Sequence, residues 1–192
     1  MNYTESARSH ELVPGGGLSD EATQYLSFSL GKETFAVDIR HIREIIEYGE
    51  VTAVPMMPPF LRGVINLRGK VVPVIDLSVR FGRAPTEVRR RSCIVIVEVG
   101  DQETRQDLGI IVDAVNEVVE IEADSQERPP AFGAGLRNDF IQGIGKVDGH
   151  FVVVLAIDQA LSVKEMAQLS QSAQWNVPQD SQDGGADERT VG

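Results

Sequence analysis

The residues whose types could support catalysis are few and lie far apart in the sequence. Asp76 and Asp113 follow apolar runs that predict strands, and a carboxylate in such a place can act as a general base. An aspartate there more commonly caps a helix or closes a turn, and we favour that interpretation for both. The histidines, His10, His41 and His150, are predicted in a terminal segment, a short helix and a turn. Nothing in this spacing gathers them as metal ligands.

Motifs of the common enzyme classes are missing from the sequence. There is no G-x-x-x-x-G-K-[ST], G-x-S-x-G or H-E-x-x-H pattern and no pair of C-x-x-C motifs. Gly133-Ala134-Gly135 is a fragment of a glycine-rich loop that follows prolines rather than a strand. The single cysteine, Cys93, begins an alternating apolar run, so we expect it to be a small buried hydrophobe. We therefore predict a protein without catalytic activity and without a cofactor.

The charge of the chain is strongly negative and unevenly placed. A net charge of −11 argues against a nucleic-acid partner, because phosphate binding needs a basic surface. Residues 1–23 and 173–192 each carry a net −3 and are rich in Gly, Ser, Asp, Gln and Pro. This composition predicts disordered acidic tails over 1–23 and 175–192. No run is long and apolar enough to span a bilayer or to form a signal peptide, so we expect a cytoplasmic protein without direct membrane insertion.

The elements that must position any site are mostly strands. Leu26, Phe28 and Leu30 alternate with serines, and Gly31-Lys32-Glu33 predicts a turn back into a strand over 34–37. Asp38 is predicted to cap a short helix, because Ile39, Ile42, Ile45 and Ile46 recur at roughly helical spacing.

Two further hairpins are indicated by their turn residues. One joins 63–67 to 70–75 around Arg68-Gly69, and Pro73 predicts that part of its second strand lies at an edge or a bulge. The other surrounds Asp148-Gly149, a pair that favours a type I′ turn. The remaining strands are predicted near 92–98, 108–113 and 115–122, and a helix is predicted over about 162–174.

An internal repeat links the two halves of the chain. Phe60-Leu61-Arg62-Gly63-Val64 aligns with Phe140-Ile141-Gln142-Gly143-Ile144, eighty residues later. Over residues 60–75 five positions are identical and four more are conservative apolar exchanges. A weaker match pairs Ile42–Ile45 with Val115–Val118. About five short strands per copy suit a small closed barrel, so the predicted fold is mainly β with two five-stranded barrels, short helices and a C-terminal helix.

The turns of the two copies differ in a way that indicates binding. Asp148-Gly149 is ordinary turn chemistry, whereas Arg68-Gly69 puts an arginine where positive φ is expected and Asp or Asn costs less. A guanidinium on a stiff loop tip suits bidentate recognition of a partner's carboxylate or carbonyl. We therefore interpret Arg68 and Asn66 as chosen for a partner rather than for the turn, the alternative being a surface arginine without a role. Glu44 is either a solvated helix residue or a contact.

One segment of the sequence resembles a known protein family. Residues 62–77, R-G-V-I-N-L-R-G-K-V-V-P-V-I-D-L, strongly resemble the signature of CheW, the bacterial chemotaxis coupling proteins. The segments Tyr25–Leu30, Phe35–Ile39, Val112–Val115 and Phe140–Gly143 agree with it. The resemblance implies two SH3-like barrels, no catalysis, and a bridging role at receptor arrays on the inner face of the membrane. The implied partners are the cytoplasmic tips of chemoreceptors and the regulatory domain of the histidine kinase CheA.

The resemblance also implies boundaries and a binding surface. The CheW-like domain is expected over 24–172, with the first barrel over about 24–85, the second over about 92–158, and the helix over 162–174. Receptor and kinase are expected to use partly different surfaces. The residues that we assign to protein binding are Ile42, Glu44, Arg62, Gly63, Asn66, Leu67, Arg68, Gly69, Ile94 and Val118.

Several alternatives remain at this point. A coupling protein of a sibling pathway, controlling pilus motility or another receptor-kinase array, would carry the same residues. A relative with a receiver domain is disfavoured because 172–192 is too short for one. A small-ligand enzyme on paired barrels is a remote alternative, and an oligonucleotide-binding barrel is disfavoured by the acidic charge.

Overall fold

The computed structural model describes residues 22–129 and 138–174, with side chains described as far as residue 168. The predicted tails lie almost wholly outside these ranges, as does Gly133-Ala134-Gly135. The described chain is mainly β, and a strand-rich core agrees with the expected fold class. Its strands are β1 (Thr23–Leu30), β2 (Glu33–Asp38), β3 (Ile42–Glu47), β4 (Leu61–Leu67), β5 (Lys70–Asp76), β6 (Cys93–Val99), β7 (Gln106–Val112), β8 (Ala114–Ile121), β9 (Ile141–Val147) and β10 (His150–Leu155). Its α-helices are α1 (Leu77–Arg80), α2 (Ile157–Ala160) and α3 (Val163–Gln174).

The helix expected after Asp38 is corrected to a strand. Asp38 does cap a 3₁₀ turn, accepting a hydrogen bond from the Arg40 backbone N–H at 2.9 Å, but that turn ends at His41. From Ile42 the chain is extended, and half-buried residues alternate with exposed ones. The isoleucine spacing fits a helix as well as a strand, and pairing of Ile46 with Ile94 of β6 decides for the strand.

The strands form two five-stranded sheets. The contiguous sheet has the order β3-β6-β7-β5-β4 and uses residues 42–112 without interruption. The composite sheet has the order β8-β1-β2-β10-β9 and combines both ends of the described chain. Each contains one parallel pair, β5 with β7 and β10 with β2, among antiparallel ones.

The expected boundaries of the two units are therefore wrong. We expected one unit over 24–85 and the other over 92–158, but the first two strands belong with the last three. Hairpin turns identify antiparallel neighbours along the chain, whereas the parallel pairs join strands that are far apart in sequence. The local sequence pattern carries no information about those distant pairs.

The repeat itself is confirmed, in circular order. β3, β4, β5, β6 and β7 occupy the positions in the contiguous sheet that β8, β9, β10, β1 and β2 occupy in the composite sheet. The eighty-residue match is the pair of hairpins β4–β5 and β9–β10. The weaker match is the pair of edge strands β3 and β8.

Smaller features of the strands also agree with the sequence. β1 and β2 form the expected hairpin, with Phe28 opposite Phe35. Pro73 pairs with Val64 of β4, but pairing with β7 begins only at Val74, so the proline lies where its missing N–H is not needed. The Glu165 backbone N–H donates to Ser162 Oγ at 3.4 Å, as the predicted capping pattern requires.

One apolar core joins the sheets. Its buried members come from both of them and include Phe28, Phe35, Val95, Ile110 and Leu155. Cys93 is half-buried at the edge of this core rather than fully buried, and its Sγ donates to the Arg91 carbonyl oxygen at 3.4 Å. The shared core means that the sheets are packed face to face as one body.

Candidate protein-binding site

The two repeat-related turns have the same backbone conformation. The φ angles are 49° at Arg68 and 84° at Gly69, against 49° at Asp148 and 81° at Gly149. The predicted positive φ at Arg68 is thus confirmed. An arginine in this region is strained relative to Asp or Asn, so another interaction must favour it.

Asn66 serves the turn, contrary to our expectation. Its Oδ1 accepts a hydrogen bond from the Gly69 backbone N–H at 2.8 Å. The equivalent residue of the second hairpin is Lys146, whose ammonium has no acceptor for such a bond. Asn66 therefore closes the strained Arg68-Gly69 turn, and its presence needs no partner to explain it.

Arg68 forms a bidentate ion pair with Glu44 of β3. Its Nη1 and Nη2 donate to Glu44 Oε1 and Oε2 at 2.6 and 2.7 Å. These bonds lower the pKa of Glu44 and raise the pKa of Arg68 above its usual value. The pair lies at the surface, since the Arg68 side chain is 75% exposed and that of Glu44 is 25% exposed. Two candidates from the sequence are therefore one unit, and it ties the hairpin tip to β3.

Arg62 and Gly63 face inward. Arg62 Nη1 lies 3.2 Å from Asp76 Oδ2, and its Nη2 donates to the Thr86 carbonyl oxygen at 3.0 Å. A Cβ on Gly63 would lie 2.2 Å from the Thr52 carbonyl oxygen, where the chain after β3 meets β4. These two residues therefore support the hairpin on its inner side and do not form its exposed binding surface.

The apolar candidates separate by burial. Ile94 is 0% exposed and belongs to the core of the contiguous sheet, so its assignment as a direct contact is corrected. Leu67 is half-buried against that core and Ile42 against the shared core. Val118 of β8 is exposed. Strand alternation inside an apolar run cannot identify its outward side when both faces are buried, and this explains the error at Ile94.

Sequence reasoning missed exposed apolar residues at positions related by the repeat. Ile45 of β3 is the repeat equivalent of Val118, and both are exposed. Val71 of β5 and Phe151 of β10 are equivalent in the same way and are 73% and 68% exposed. Large apolar side chains left in water at matching places of both sheets indicate contact surfaces. The repeat alignment contained this information once strand faces were assigned.

We call these places the first and the second tip surface. The first tip surface, on the contiguous sheet, consists of Arg43, Glu44, Ile45, Arg68, Lys70 and Val71. The second, on the composite sheet, consists of their equivalents Asn116, Glu117, Val118, Asp148, His150 and Phe151. The first carries three cations and one anion, and one of these cations, Arg43, is paired with Glu98 of β6, whereas the second carries two anions and no permanent cation. The two surfaces therefore share apolar residues and differ in charge.

The carboxylates considered as bases have structural roles. Asp76 Oδ1 accepts from the Ser78 N–H at 3.0 Å and caps α1. Asp113 Oδ2 accepts from the Gly31 N–H at 2.6 Å and so braces the β1–β2 turn. Both expectations are confirmed. Within residues 22–129 and 138–174, no three His, Cys, Asp or Glu side chains are grouped as metal ligands.

These features define a protein-binding module of two repeat-related sheets with unequal tip surfaces. The profile of the family described as CheW-like domain matches residues 24–165. Chemotaxis protein CheW of Klebsiella aerogenes is 32% identical over 144 residues, which is 75% of this chain and 84% of that protein. The protein belongs to the CheW family.

Two further comparisons bear on its role. The crystal structure of scaffolding protein TtCheW from Thermoanaerobacter tengcongensis is 33% identical and superposes with a TM-score of 0.65, covering 81% of this chain and 93% of that one. Protein PilI of Pseudomonas aeruginosa is more distant, at 28% identity over 71% of this chain and 76% of that protein.

In the described part of the chain no helix has the length and hydropathy to cross a membrane.

Proposed function

We propose that the protein is a chemotaxis adaptor that couples chemoreceptors to the histidine kinase CheA by scaffolding, without catalysis. The observation that carries the proposal is the family match over residues 24–165, with the N-L-R-G hairpin intact and its arginine exposed. The expected partners are the cytoplasmic receptor tips and the regulatory domain of the kinase. The expected location is the cytoplasmic face of the membrane, at receptor arrays.

We infer that each sheet closes as an SH3-like barrel. Thr52 and Val64 exchange two backbone hydrogen bonds of 2.9 Å, which joins the chain beyond β3 to β4 at the opposite edge of the contiguous sheet. Glu127 and Ile144 do the same, at 2.9 and 2.8 Å, beyond β8 in the composite sheet. Joined edges support closure, and closure removes the free edges at which sheets aggregate.

We propose that the Arg68–Glu44 pair forms part of the partner-binding contact. Glu44 uses two of the five N–H donors of the guanidinium, so three remain for a carbonyl or carboxylate of a partner. The pair also holds the Arg68 guanidinium in one orientation in the free protein, which lowers the conformational entropy lost on binding. Partner recognition by Arg68 is therefore compatible with its internal partner.

The opposite charge of the tip surfaces supports two different partners. A cationic surface favours an acidic partner and a carboxylate-bearing surface disfavours it, although both surfaces have apolar residues at equivalent positions. We assign one partner to the first tip surface and another to the second. One molecule can then hold receptor and kinase together.

A second candidate is a coupling role in a sibling pathway for pilus motility, and the similarity to Protein PilI favours it. An affinity-tagged chain expressed in its own host separates the two. Recovery of chemoreceptors and a CheA-type kinase supports the proposal, and recovery of a pilus-motility kinase supports the alternative. Recovery of neither with a folded bait would refute both.

A further inference from the structure

Arg80, the last residue of α1, is a buried cation at the junction of the two sheets. Its side chain is only 6% exposed. Its Nε donates to the carbonyl oxygen of Ala160 at 3.0 Å, and its guanidinium carbon lies 4.6 Å from the centre of the Phe140 ring and 5.4 Å from that of Phe60. Its Nη2 lies 3.3 Å from Glu165 Oε1, without the alignment of a hydrogen bond. The Arg80 side chain thus contacts Phe140, α2 and α3, all of which lie in the second half of the sequence.

The partners of Arg80 are related to one another by the repeat. Phe60 and Phe140 are the equivalent residues that precede the two repeat hairpins, eighty positions apart. Ala160, whose carbonyl oxygen is bonded, is eighty positions from Arg80 itself, and α2 is the equivalent of α1. Arg80 therefore lies where the two copies meet each other. The alanine at the equivalent position leaves room for a single arginine, whereas two would bring like charges together.

Most of the junction is apolar and is not selective for one arrangement, although the Arg83–Glu33 ion pair and a hydrogen bond from the Gly100 N–H to Asp158 Oδ1 also cross it at the surface. Phe81 packs against Phe35 and Phe140, with ring centres 5.7 and 6.1 Å apart, among aliphatic side chains of the shared core. Apolar burial is non-directional, so such a contact tolerates small sliding and rotation. A buried guanidinium behaves differently. If the sheets shift so that it loses its carbonyl acceptor and the aromatic rings, an uncompensated charge is left in an apolar core.

We propose that Arg80 is a positioning residue that fixes the orientation of the contiguous sheet relative to the composite sheet. It thereby sets the angle between the first and the second tip surface. The consequence for binding rests on the proposed function, since an adaptor with two partners holds them at the geometry of its two surfaces. Arg80 touches neither tip surface and acts through the junction alone.

Pulsed electron paramagnetic resonance tests this directly. Nitroxide labels at Lys70→Cys and His150→Cys, in a Cys93→Ala background, report the distance between the two hairpin tips. Arg80→Met keeps an apolar stem of similar length and removes the charge and the hydrogen bond to Ala160. We expect a distance distribution about twofold broader in this variant, because the remaining apolar contacts and the exposed polar ones permit several arrangements.

Arg89→Met is the matched control. Arg89 is also a cation that follows α1, but it pairs at the surface with Glu87, two positions away, at 2.8 Å, and its contact does not cross the junction. It should leave the distribution unchanged. If Arg80→Met unfolds the chain, Arg80→Lys keeps the charge, lacks Nε and should broaden the distribution too. A folded Arg80→Met or Arg80→Lys protein with the parental distribution overturns the proposal and leaves Arg80 a purely stabilising residue.

The outcome is independent of partner binding. The distance is measured on the isolated chain, so failure to capture receptor or kinase counts against the proposed function alone. An unchanged distance distribution counts against the role of Arg80 alone.

Discussion

Arg68 combines an unfavourable backbone conformation with a bidentate ion pair to Glu44. Its identity at a positive-φ position indicated selection by something other than the turn, and the φ of 49° agrees. The interaction with Glu44 could not be foreseen, because Glu44 was expected on a helix and is on β3. The proximity of the two residues depends on the way β3 and the hairpin tip approach each other in three dimensions.

Reversing the charge of Arg68 should separate its internal and external roles. Arg68→Glu faces Glu44 with a like charge and removes the remaining donors, so binding of one partner should fall about tenfold or more. The double variant Glu44→Arg with Arg68→Glu rebuilds the internal pair with reversed polarity. We expect binding to stay weak in it, because the partner still meets a carboxylate on the turn.

Asp148→Lys, a charge change at the equivalent turn, is the matched control and should spare that partner. Calorimetric titration with the purified kinase regulatory domain and receptor fragment measures each affinity. Full recovery of binding in the double variant would show that Arg68 only holds the hairpin.

The ion pair also predicts how binding depends on pH. The hydrogen bonds from Arg68 lower the pKa of Glu44 in the folded chain. The pair therefore contributes fully to binding above the ordinary pKa of glutamate. This contribution is lost only as the pH falls through the lower pKa that Glu44 has in the folded chain. Affinity at the first tip surface should stay constant from pH 8 to about 5.5, well above that range. A loss of binding within this window, measured at constant ionic strength, would contradict the pair's role.

At the scale of elements, the β4–β5 hairpin depends on two glycines for different reasons. Gly63→Ala would place a Cβ 2.2 Å from the Thr52 carbonyl oxygen, a clash with backbone that side chains cannot relieve. Gly69→Ala meets nothing within 4 Å, but it must adopt φ near +84°. We expect destabilisation by about 3 kcal/mol for Gly63→Ala and about 1 kcal/mol for Gly69→Ala.

Urea unfolding followed by circular dichroism measures both, and Gly149→Ala at the equivalent turn should match Gly69→Ala. A Gly63→Ala protein as stable as the parent would mean that β4 does not pack against the chain beyond β3 as described.

The hairpins were predictable because their determinants are local. Asp148-Gly149 and Arg68-Gly69 define their turns through adjacent residues, and alternation defines β1 and β2. The strand β3 was missed because Ile42, Ile45 and Ile46 satisfy helical and extended spacing alike, and its pairing with β6 decides between them.

At the scale of the whole molecule, the repeat was visible but its connectivity was not. Sequence comparison aligned β4–β5 with β9–β10 correctly. It could not show that β1 and β2 complete the composite sheet, because the parallel pairing of β2 with β10 joins residues more than a hundred positions apart. Likewise, the residues assigned to binding included the exposed Arg68 and Val118 and the half-buried Glu44 together with the buried Ile94, since burial depends on how the strands pair and pack in three dimensions.

The two tip surfaces should separate genetically. Ile45→Asp and Val118→Asp change equivalent exposed positions, one on each sheet, and neither side chain is in the core. Each should weaken binding of one partner by about tenfold and leave binding of the other unchanged, because a charge introduced into an apolar contact must be desolvated. Surface plasmon resonance with each purified partner gives the comparison. Equal loss of the same partner in both variants would contradict a division of labour.

The central claim is that one molecule holds receptor and kinase together. Size-exclusion chromatography with multi-angle light scattering tests it, using the purified chain, a receptor-tip fragment and the CheA regulatory domain. We predict a complex containing all three, whose formation is abolished when Ile45→Asp and Val118→Asp are combined. Binding of the two partners only in mutually exclusive complexes would contradict the account.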